Sequence, residues 1–319
     1  MFPDAPQPFV DLSTGINPHA YPVPPLRPDL FTALPQASAL AELLANAAQA
    51  YGARSAVHVV AAPGTQILLA QVAALVPTGR AAVLGPTYAE HARAAALAGH
   101  RVREVVDAAS LSNADLAVVV NPNNPDGRIA ARAALLACAG ALPAQGLLVV
   151  DEAFMDVGPP GASLAGDVGK GNIVVLRSFG KFYGLAGLRL GFAIAQPPIA
   201  ARLAAALGPW AVAGPAIAIG AAALADRAWA DEIRAQLASA ALRLDRMLTA
   251  AGLEIVGGTL LFRLARTHAA AELFQHLGRA GILVRRFAHT AGWLRFGLPA
   301  REPEWGRLAD ALAGFRPTR

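Results

Sequence analysis

Residues 116–125 read LAVVVNPNNP, and the same arrangement returns as LLVVDEAF at 147–154 and as IVVLRSFGKF at 173–182. In each stretch an unbroken apolar run ends in polar residues, which is typical of a strand buried on both faces of a sheet. Runs with helical spacing of apolar residues lie between such stretches, for example at 37–51 and 129–142. This alternation predicts an α/β fold in which helices cover both faces of a mostly parallel sheet.

The pattern changes near Pro215, where a long Ala/Arg/Leu-rich helix is predicted to run to about Ala251. Short strands and two further helices are predicted to follow it, as in an α+β domain. We therefore expect a large domain at 34–213 and a smaller C-terminal α+β domain at 214–319. Residues 1–33 are expected to form an N-terminal arm that is part of the small domain.

The composition excludes several classes of protein. Of the 319 residues, 55% are hydrophobic and only 15% are charged, which excludes a mainly disordered chain. The single cysteine, Cys138, excludes an intrachain disulfide framework and a multi-cysteine zinc site, and we expect no metal. The formal charge is +5, but the arginines are scattered and form no basic run, so we expect no nucleic-acid partner.

Residues 203–225 carry no charge and are numerous enough to cross a bilayer. Gly208-Pro209 and Gly214-Pro215 interrupt this segment, and alanine dominates it, which favours a buried helix–turn–helix connection over a membrane span. The N-terminus shows no basic stretch followed by an apolar one, as a signal peptide would. We expect no membrane partner and a cytoplasmic location.

Lysine is rare in this chain. Only Lys170 and Lys181 are lysines among the 27 basic residues. A lysine amine can form a Schiff base with a carbonyl compound, whereas an arginine cannot. Both lysines are therefore candidates for covalent chemistry.

Polar residues follow four of the predicted strands, at 64–66, at 121–125, at Asp151 and at 178–181. Ligands of parallel sheets bind beyond the carboxyl ends of the strands, so these residues are candidates for a binding site. Each also has a structural explanation: Asn-Pro pairs favour turns, an aspartate can cap or pair, a serine can bond the backbone, and a lysine can be exposed.

Together these residues match the needs of pyridoxal phosphate, a cofactor with an aldehyde, a pyridine ring and a phosphate. Lys181 offers the amine for the aldehyde, and Asp151 a carboxylate that keeps the pyridine nitrogen protonated. Asn124 can donate to the ring oxygen, and Tyr88 can either stack on the ring or be an ordinary core or surface aromatic. The candidate phosphate ligands begin a helix or carry a hydroxyl or guanidinium group: Gly64, Thr65, Gln66, Ser178 and Arg189.

The motifs NPNNPDGR at 121–128, VVDEAF at 149–154 and SFGKFYGLAGLRLGF at 178–192 resemble those of the aminotransferase superfamily of pyridoxal-phosphate enzymes, fold type I. The resemblance implies that Lys181 binds the cofactor covalently and acts as general acid and base. It also implies that Asp151 keeps the pyridine nitrogen protonated, that Asn124 donates to the ring oxygen, and that Ser178 and Arg189 bind the phosphate. The resemblance further implies a homodimer.

Within this superfamily, DLSTGINPHAYP at 11–22, APGTQ at 62–66 and PTYAEH at 86–91 resemble the threonine-phosphate decarboxylases of cobalamin biosynthesis, which are similar to histidinol-phosphate aminotransferases. This implies a lyase that converts a phosphorylated amino acid, L-threonine O-3-phosphate, to (R)-1-aminopropan-2-ol O-phosphate. The residues alone leave two alternatives open: an aminotransferase for histidinol phosphate or aromatic amino acids, and a non-catalytic binding module.

Three residues are candidates for substrate binding. Arg295, in WLRFGLP, resembles the superfamily's substrate-carboxylate arginine, and its alternative is a structural ion pair. Arg285 resembles a second anion-binding arginine and is a candidate for the substrate phosphate, or is simply solvated at the surface. Asn17 is a candidate to close over the substrate or to form a turn.

Two positions depart from the superfamily's pattern. Phe154 stands where many aminotransferases carry a tyrosine that donates to the ring oxygen, so one donor to that oxygen is lost. Leu34 stands where histidinol-phosphate aminotransferases carry a tyrosine that reaches the phosphate of the neighbouring subunit. That intersubunit contact is therefore not expected in its usual form.

Overall fold

The computed structural model describes residues 2–288 and 290–317 and divides into two compact units. The larger unit consists of Tyr21–Asn124 and Ile129–Ala228. The smaller unit contains the segment that ends at Ala20, the short segment Pro125–Arg128, and the chain from Trp229 onward.

These units differ from the predicted domains in three segments, of which Pro125–Arg128 lies within the predicted large domain but groups with the smaller unit. Residues 21–33 group with the larger unit, so only the first part of the predicted N-terminal arm belongs with the small domain. Residues 214–228 also group with the larger unit. The reason is that eight of the twelve residues of the helix beginning at Gly214 are buried there, and the Asn46 amide donates to the carbonyl oxygen of Ala221 at 3.0 Å.

The strands, in chain order, are β1 Val10–Leu12, β2 Val59–Ala62, β3 Arg80–Leu84, β4 Arg101–Val105, β5 Leu116–Val120, β6 Leu147–Asp151, β7 Ile173–Ser178, β8 Gly191–Ala195, β9 Glu254–Thr259, β10 Phe262–Arg266, β11 Ile282–Arg286 and β12 Trp293–Gly297. The helices are α1 Asp29–Thr32, α2 Ala37–Tyr51, α3 Thr65–Ala73, α4 Glu90–Leu97, α5 Arg132–Ala141, α6 Phe179–Phe182, α7 Pro197–Leu207, α8 Gly214–Ala225, α9 Arg227–Ala250, α10 Ala270–Arg279 and α11 Glu302–Gly314.

Seven of these strands form the sheet of the larger unit, in the order β2-β8-β7-β6-β5-β3-β4. Neighbours are parallel except at β8, which runs antiparallel to both β2 and β7. Every residue of β5 and β6 is buried, as expected for apolar strands covered on both faces. The predicted mostly parallel α/β sheet is confirmed.

The smaller unit holds a second sheet, of order β1-β11-β12-β10-β9. β1 pairs with β11 in parallel, and the other neighbours are antiparallel. The predicted α+β character of the C-terminal region is therefore confirmed, and the N-terminal strand Val10–Leu12 belongs to the same sheet.

The single long helix predicted from Pro215 to about Ala251 is wrong, because α8 and α9 are separate helices. The backbone leaves the helical region at Asp226, where φ is −84° and ψ is 82°. The Tyr21 hydroxyl donates to the carboxylate of Asp226 at 3.4 Å. The apolar spacing continues across this residue, so the sequence pattern alone gave no sign of the break.

The segment 203–225 forms the end of α7, a connection at 208–213, and α8, which matches the helix–turn–helix prediction. Among the described residues, we find no helix with the length and apolar character that crossing a membrane requires.

Candidate functional site

The carboxyl ends of β5, β6 and β7 lie side by side at one edge of the larger unit's sheet. The Asn121 N–H donates to the carbonyl oxygen of Asp151 at 2.8 Å, which joins the ends of β5 and β6. The Glu152 N–H donates to the carbonyl oxygen of Leu176 at 2.9 Å, which joins β6 to β7. Three strands that each carry a predicted site residue therefore end together, as the sequence predicts.

Asp151, the last residue of β6, is only 6% exposed and is held at both carboxylate oxygens. Its Oδ2 lies 2.7 Å from Nε2 of His91, and its Oδ1 accepts from the Ala153 N–H at 3.0 Å. An ionised carboxylate is acceptor-only, so His91 donates through Nε2. The arrangement fixes the direction in which Asp151 presents its negative charge.

His91 is a residue of this site that the sequence pattern does not predict. This residue lies in α4, is 4% exposed, and packs edge-on against Tyr88, with ring centroids 6.1 Å apart. Its contact with Asp151 joins residues 60 positions apart in the chain. The available signal was weak: one histidine three residues after Tyr88, in the motif PTYAEH.

We expect His91→Asn to weaken cofactor binding about 10- to 100-fold, because a donor to a buried charged acceptor is worth ~1.5–3 kcal/mol. The measurement is a titration of the purified protein with pyridoxal phosphate, followed by visible absorption. His100→Asn is the matched control. His100 is also buried, but its Nε2 lies 2.8 Å from the carbonyl oxygen of Ala73 and its Nδ1 accepts from the Gly79 N–H.

His100→Asn should lower thermal stability without changing the affinity for the cofactor. Equal affinities of the His91 variant and the parent protein would contradict the assignment of His91.

Of the asparagines that follow β5, two have structural duties. The Asn121 Oδ1 accepts from the Ala130 N–H at 2.9 Å. Asn123 accepts from the Thr87 hydroxyl at 2.6 Å and donates to the carbonyl oxygen of Pro86. Asn124 is partly exposed at the same strand end, which is the position expected of a donor to a ligand.

The two lysines have different surroundings. Lys181 lies in α6, directly after β7, with its Nζ 5.9 Å from the ring centroid of Phe154. Phe154 is three residues beyond Asp151, so the amine lies near the carboxyl end of β6. Lys170 instead precedes β7, has a side chain that is 53% exposed, and pairs with Asp167 at 2.9 Å. Lys181 is therefore the better candidate for covalent chemistry.

The predicted phosphate ligands meet at the start of α3. Gly64 has φ of +86°, and a Cβ placed on it would lie 2.6 Å from Nη2 of Arg189, so glycine leaves room for this guanidinium. Gly191 pairs with Ser178 across β7 and β8 and lies directly against the backbone nitrogen of Thr65. The start of α3, the guanidinium of Arg189 and the strand pair that carries Ser178 are thus brought together, and helix N–H groups with a guanidinium are a suitable set for an anion.

Arg189 adopts a left-handed backbone conformation, with φ of 54° and ψ of 59°. Its Nη1 donates to the carbonyl oxygen of Ala186 at 3.1 Å, which folds the side chain back over its own turn. Non-glycine residues in this region are costly and cluster at functional sites.

Tyr88 is 40% exposed, so it is not a core aromatic. Its hydroxyl donates to Oε1 of Gln66 at 3.2 Å, and the amide of Gln66 donates to Glu90 at 2.9 Å. The ring is thereby tied to the first turn of α3. The side chain of Gln66 thus orients Tyr88, a role in addition to the backbone role predicted for it.

These residues fit pyridoxal phosphate. An amine lies near the strand ends, a buried carboxylate is oriented by two donors, and the space beside Gly64 and Arg189 would be filled by any Cβ at residue 64. The individual roles of Gly64, Thr65, Gln66, Tyr88, Asn124, Asp151, Ser178, Lys181 and Arg189 stay predictions.

The smaller unit brings Arg285 and Arg295 together. They face each other directly on β11 and β12. Arg295 is 7% exposed, its Nη2 donates to the carbonyl oxygen of Ser13 at 2.8 Å, and its guanidinium lies over the ring of Phe262. Burial and, next, the charge of Arg285 lower the pKa of Arg295 to about 10, so it remains cationic at neutral pH.

Asn17 is 2% exposed, and its Oδ1 accepts from the His19 N–H at 2.9 Å. This is a side-chain turn, so the turn interpretation of Asn17 is confirmed. Its part in substrate binding stays a prediction, as do those of Arg285 and Arg295.

The family model of aminotransferase class I and II matches residues 29–312. A threonine-phosphate decarboxylase from Sinorhizobium sp is 44% identical over 312 residues, which cover 97% of this chain and 92% of the relative.

Two solved structures show the same fold. A histidinol-phosphate aminotransferase from Sinorhizobium meliloti, in complex with pyridoxal-5'-phosphate, aligns with a TM-score of 0.80 at 23% identity, covering 95% of this chain and 89% of that one. The L-threonine-O-3-phosphate decarboxylase from Porphyromonas gingivalis aligns with a TM-score of 0.78 at 22% identity, covering 95% and 98%.

Proposed function

This chain belongs to the aminotransferase class I and II family, and we propose that it binds pyridoxal 5'-phosphate and decarboxylates L-threonine O-3-phosphate. The product is 1-aminopropan-2-ol O-phosphate, an intermediate of cobalamin biosynthesis. Similarity to a threonine-phosphate decarboxylase along nearly the whole chain supports this proposal over the aminotransferase alternative.

The observation that carries the substrate assignment is the pair Arg285 and Arg295, opposed on adjacent strands. Like charges directly opposite each other destabilise a sheet. The charge of Arg295 is also buried, which adds an unfavourable free energy of desolvation. Anionic groups of a ligand would relieve both costs. Threonine phosphate carries a carboxylate and a phosphate, one for each arginine, whereas histidinol phosphate has no carboxylate.

The remaining residues act as follows. Pyridoxal phosphate supplies an aldehyde that reacts with amines and a ring that accepts electrons from a breaking bond. Lys181 supplies the amine that holds the cofactor, and its Nζ then returns a proton to the substrate Cα after carbon dioxide leaves. Asp151, oriented by His91, keeps the proton on the pyridine nitrogen. Asn124 donates to the ring oxygen, and the start of α3 with Ser178 and Arg189 binds the phosphate.

The test is an assay of the purified protein with pyridoxal phosphate and O-phospho-L-threonine. We expect release of carbon dioxide and a stoichiometric amine product, with unphosphorylated L-threonine as a poor substrate. Conversion of 2-oxoglutarate to glutamate in the presence of histidinol phosphate, without carbon dioxide release, would instead identify an aminotransferase. Cofactor binding without turnover of any amino acid would identify a binding module.

We expect Arg285→Met to raise KM for O-phospho-L-threonine about 10- to 100-fold, since a hydrogen-bonded charge pair is worth ~1.5–3 kcal/mol. Arg286→Met is the matched control. Successive side chains of a strand point to opposite faces, and the guanidinium of Arg286 lies over the ring of Phe274, 4.9 Å from its centroid. Steady-state kinetics measure both variants. A KM that changes equally in the two would contradict the role of Arg285.

We also propose that the protein is a homodimer. Large apolar side chains of the larger unit are exposed: Phe31 by 67%, Leu34 by 65% and Trp210 by 59%. Trp210 lines an apolar groove of about 340 Å³, and Leu34 lines a neighbouring groove of about 510 Å³. Apolar patches of this kind mark interaction surfaces.

Sedimentation analysis should find a dimer for the parent protein and a shift toward monomer for Leu34→Asp. The cytoplasmic location stays a prediction.

A further inference from the structure

A buried ionic cluster lies directly beside the strand ends that carry the site. We call it the Arg177 cluster; its members are Tyr51, Glu152, Asp156, Ser163 and Arg177. The Arg177 guanidinium donates through Nη1 to Glu152 at 3.1 Å and through Nη2 to Asp156 at 2.8 Å, and its Cζ lies 4.3 Å from the ring centroid of Tyr51. Glu152 also accepts from the Ser163 hydroxyl at 2.6 Å and from the Leu164 N–H at 2.7 Å.

The cluster is almost wholly shielded from water. Glu152 is 0% exposed, Arg177 4%, and Asp156 8%. Burial alone would lower the pKa of Arg177, but the charges of Asp156 and Glu152 outweigh it and raise that pKa above its ordinary value. The guanidinium therefore stays charged and bonds to two carboxylates, of which Glu152 has its pKa raised by burial.

Fold stability alone does not account for such a cluster. Replacing a buried ion pair with apolar residues of similar size is often neutral or stabilising. Here, moreover, two buried atoms, Nε of Arg177 and the hydroxyl oxygen of Tyr51, have no hydrogen-bond partner among the described residues. Each such atom adds a desolvation cost. Conformational specificity is the property that buried ionic groups can provide instead.

Two members of the cluster are covalent neighbours of proposed cofactor residues. Glu152 follows Asp151, and Arg177 precedes Ser178 and lies four residues before Lys181. Because strand residues alternate between faces, Arg177 and Ser178 point to opposite faces of β7. The ion pairs to Glu152 and Asp156 thus fix the ends of β6 and β7 from one side while Ser178 lies on the other.

We propose that the Arg177 cluster positions Asp151 and the segment from Ser178 to Lys181 relative to each other, so that the carboxylate and the amine meet the cofactor at a fixed separation. This inference rests on the proposed binding of pyridoxal phosphate by these residues. Misplacing a reacting group by about 1 Å can cost 10²-fold in rate, so a rigid, directional cluster has a functional value that an apolar one lacks.

The test compares variants of the cluster in the full chain. Glu152→Gln combined with Asp156→Leu and Arg177→Met removes every charge at once and leaves none unpaired, so this triple variant should fold. We expect its dissociation constant for pyridoxal phosphate to rise at least about tenfold and kcat to fall about 10- to 100-fold, with KM for substrate little changed. The single variant Arg177→Lys keeps a positive charge beside the two carboxylates. Its dissociation constant and kcat should therefore lie between those of the parent protein and those of the triple variant.

Two further variants keep the test decisive. Arg132→Met with Asp167→Asn is the matched control, because Asp167 is equally buried and bound by Arg132 at 2.6 Å, but precedes β7. It should change melting temperature and leave cofactor affinity as in the parent. Ser163→Ala removes one hydrogen bond to Glu152 and should raise the dissociation constant for pyridoxal phosphate about threefold. This milder variant tests the inference if the triple variant does not fold.

The outcomes separate this inference from the function on which it rests. If the parent protein and the triple variant bind pyridoxal phosphate equally well, the cluster is merely structural and the inference is overturned. If the triple variant does not fold, the same conclusion follows from equal binding by Ser163→Ala and the parent protein. If the parent protein itself fails to bind the cofactor, the proposed function and the inference both fail.

Discussion

Lys181→Ala is expected to lose about 10⁴-fold or more of its turnover of O-phospho-L-threonine. The variant removes both the amine proposed to hold the cofactor and the group proposed to return a proton to the substrate, and general acid–base catalysis alone contributes ~10²–10⁴-fold. Borohydride reduction of the parent protein with pyridoxal phosphate, followed by peptide mapping, should find the label on Lys181.

Lys170→Ala is the control for this prediction. Lys170 is half-exposed, pairs with Asp167, and precedes β7, whereas Lys181 follows it. Its removal should leave turnover and labelling unchanged. A label on Lys170, or an active Lys181→Ala protein, would refute the assignment of the covalent site and with it the proposed mechanism.

The second large effect is expected for Asp151→Asn, with a loss of about 10²–10³-fold in kcat. A neutral amide cannot keep the proton on the pyridine nitrogen, and a preorganised charge at a reacting centre is worth about this factor. The asparagine retains an oxygen that can accept from His91, so the change tests charge more than shape. Steady-state kinetics and a pH titration of the cofactor's visible absorption measure the effect.

Asp167→Asn serves as the control for Asp151→Asn, because it also neutralises a buried aspartate in the same unit. Its expected consequence is a lower melting temperature with an unchanged pH titration of the absorption. If Asp151→Asn shifts neither kcat nor that titration, Asp151 does not act on the pyridine nitrogen.

Elements whose signals are local could be predicted closely from the sequence. Helix α2 has the predicted bounds, Ala37–Tyr51, because Ala/Leu spacing defines it and Gly52, with φ of +73°, ends it. Strand β5 likewise matches Leu116–Val120, since an apolar run followed by Asn-Pro is a strong local signal. β1 has only three residues, too few for a pattern, and depends on its parallel partner β11.

The site shows the same division. Lys181, Asp151 and the glycine-led turn at Gly64 can be predicted as candidates because each follows an apolar strand in a chemically distinctive motif. His91 and the partners of Arg177 were not found, because their contacts span 60 and 21–25 residues of sequence and exist only once strand order and helix packing are fixed. The residues proposed to contact the cofactor carry local signals, whereas the residues that hydrogen-bond to them are brought together only by tertiary structure.

The scarcity of lysine gives this protein a practical property. Apart from its α-amino group, the chain offers two primary amines, of which Lys170 has a half-exposed side chain. Above neutral pH, an amine-reactive fluorophore or crosslinker applied to the cofactor-loaded protein would therefore have one lysine to react with, Lys170, besides the α-amino group. That gives a defined point of conjugation, obtained without engineering, for surface immobilisation or single-molecule observation.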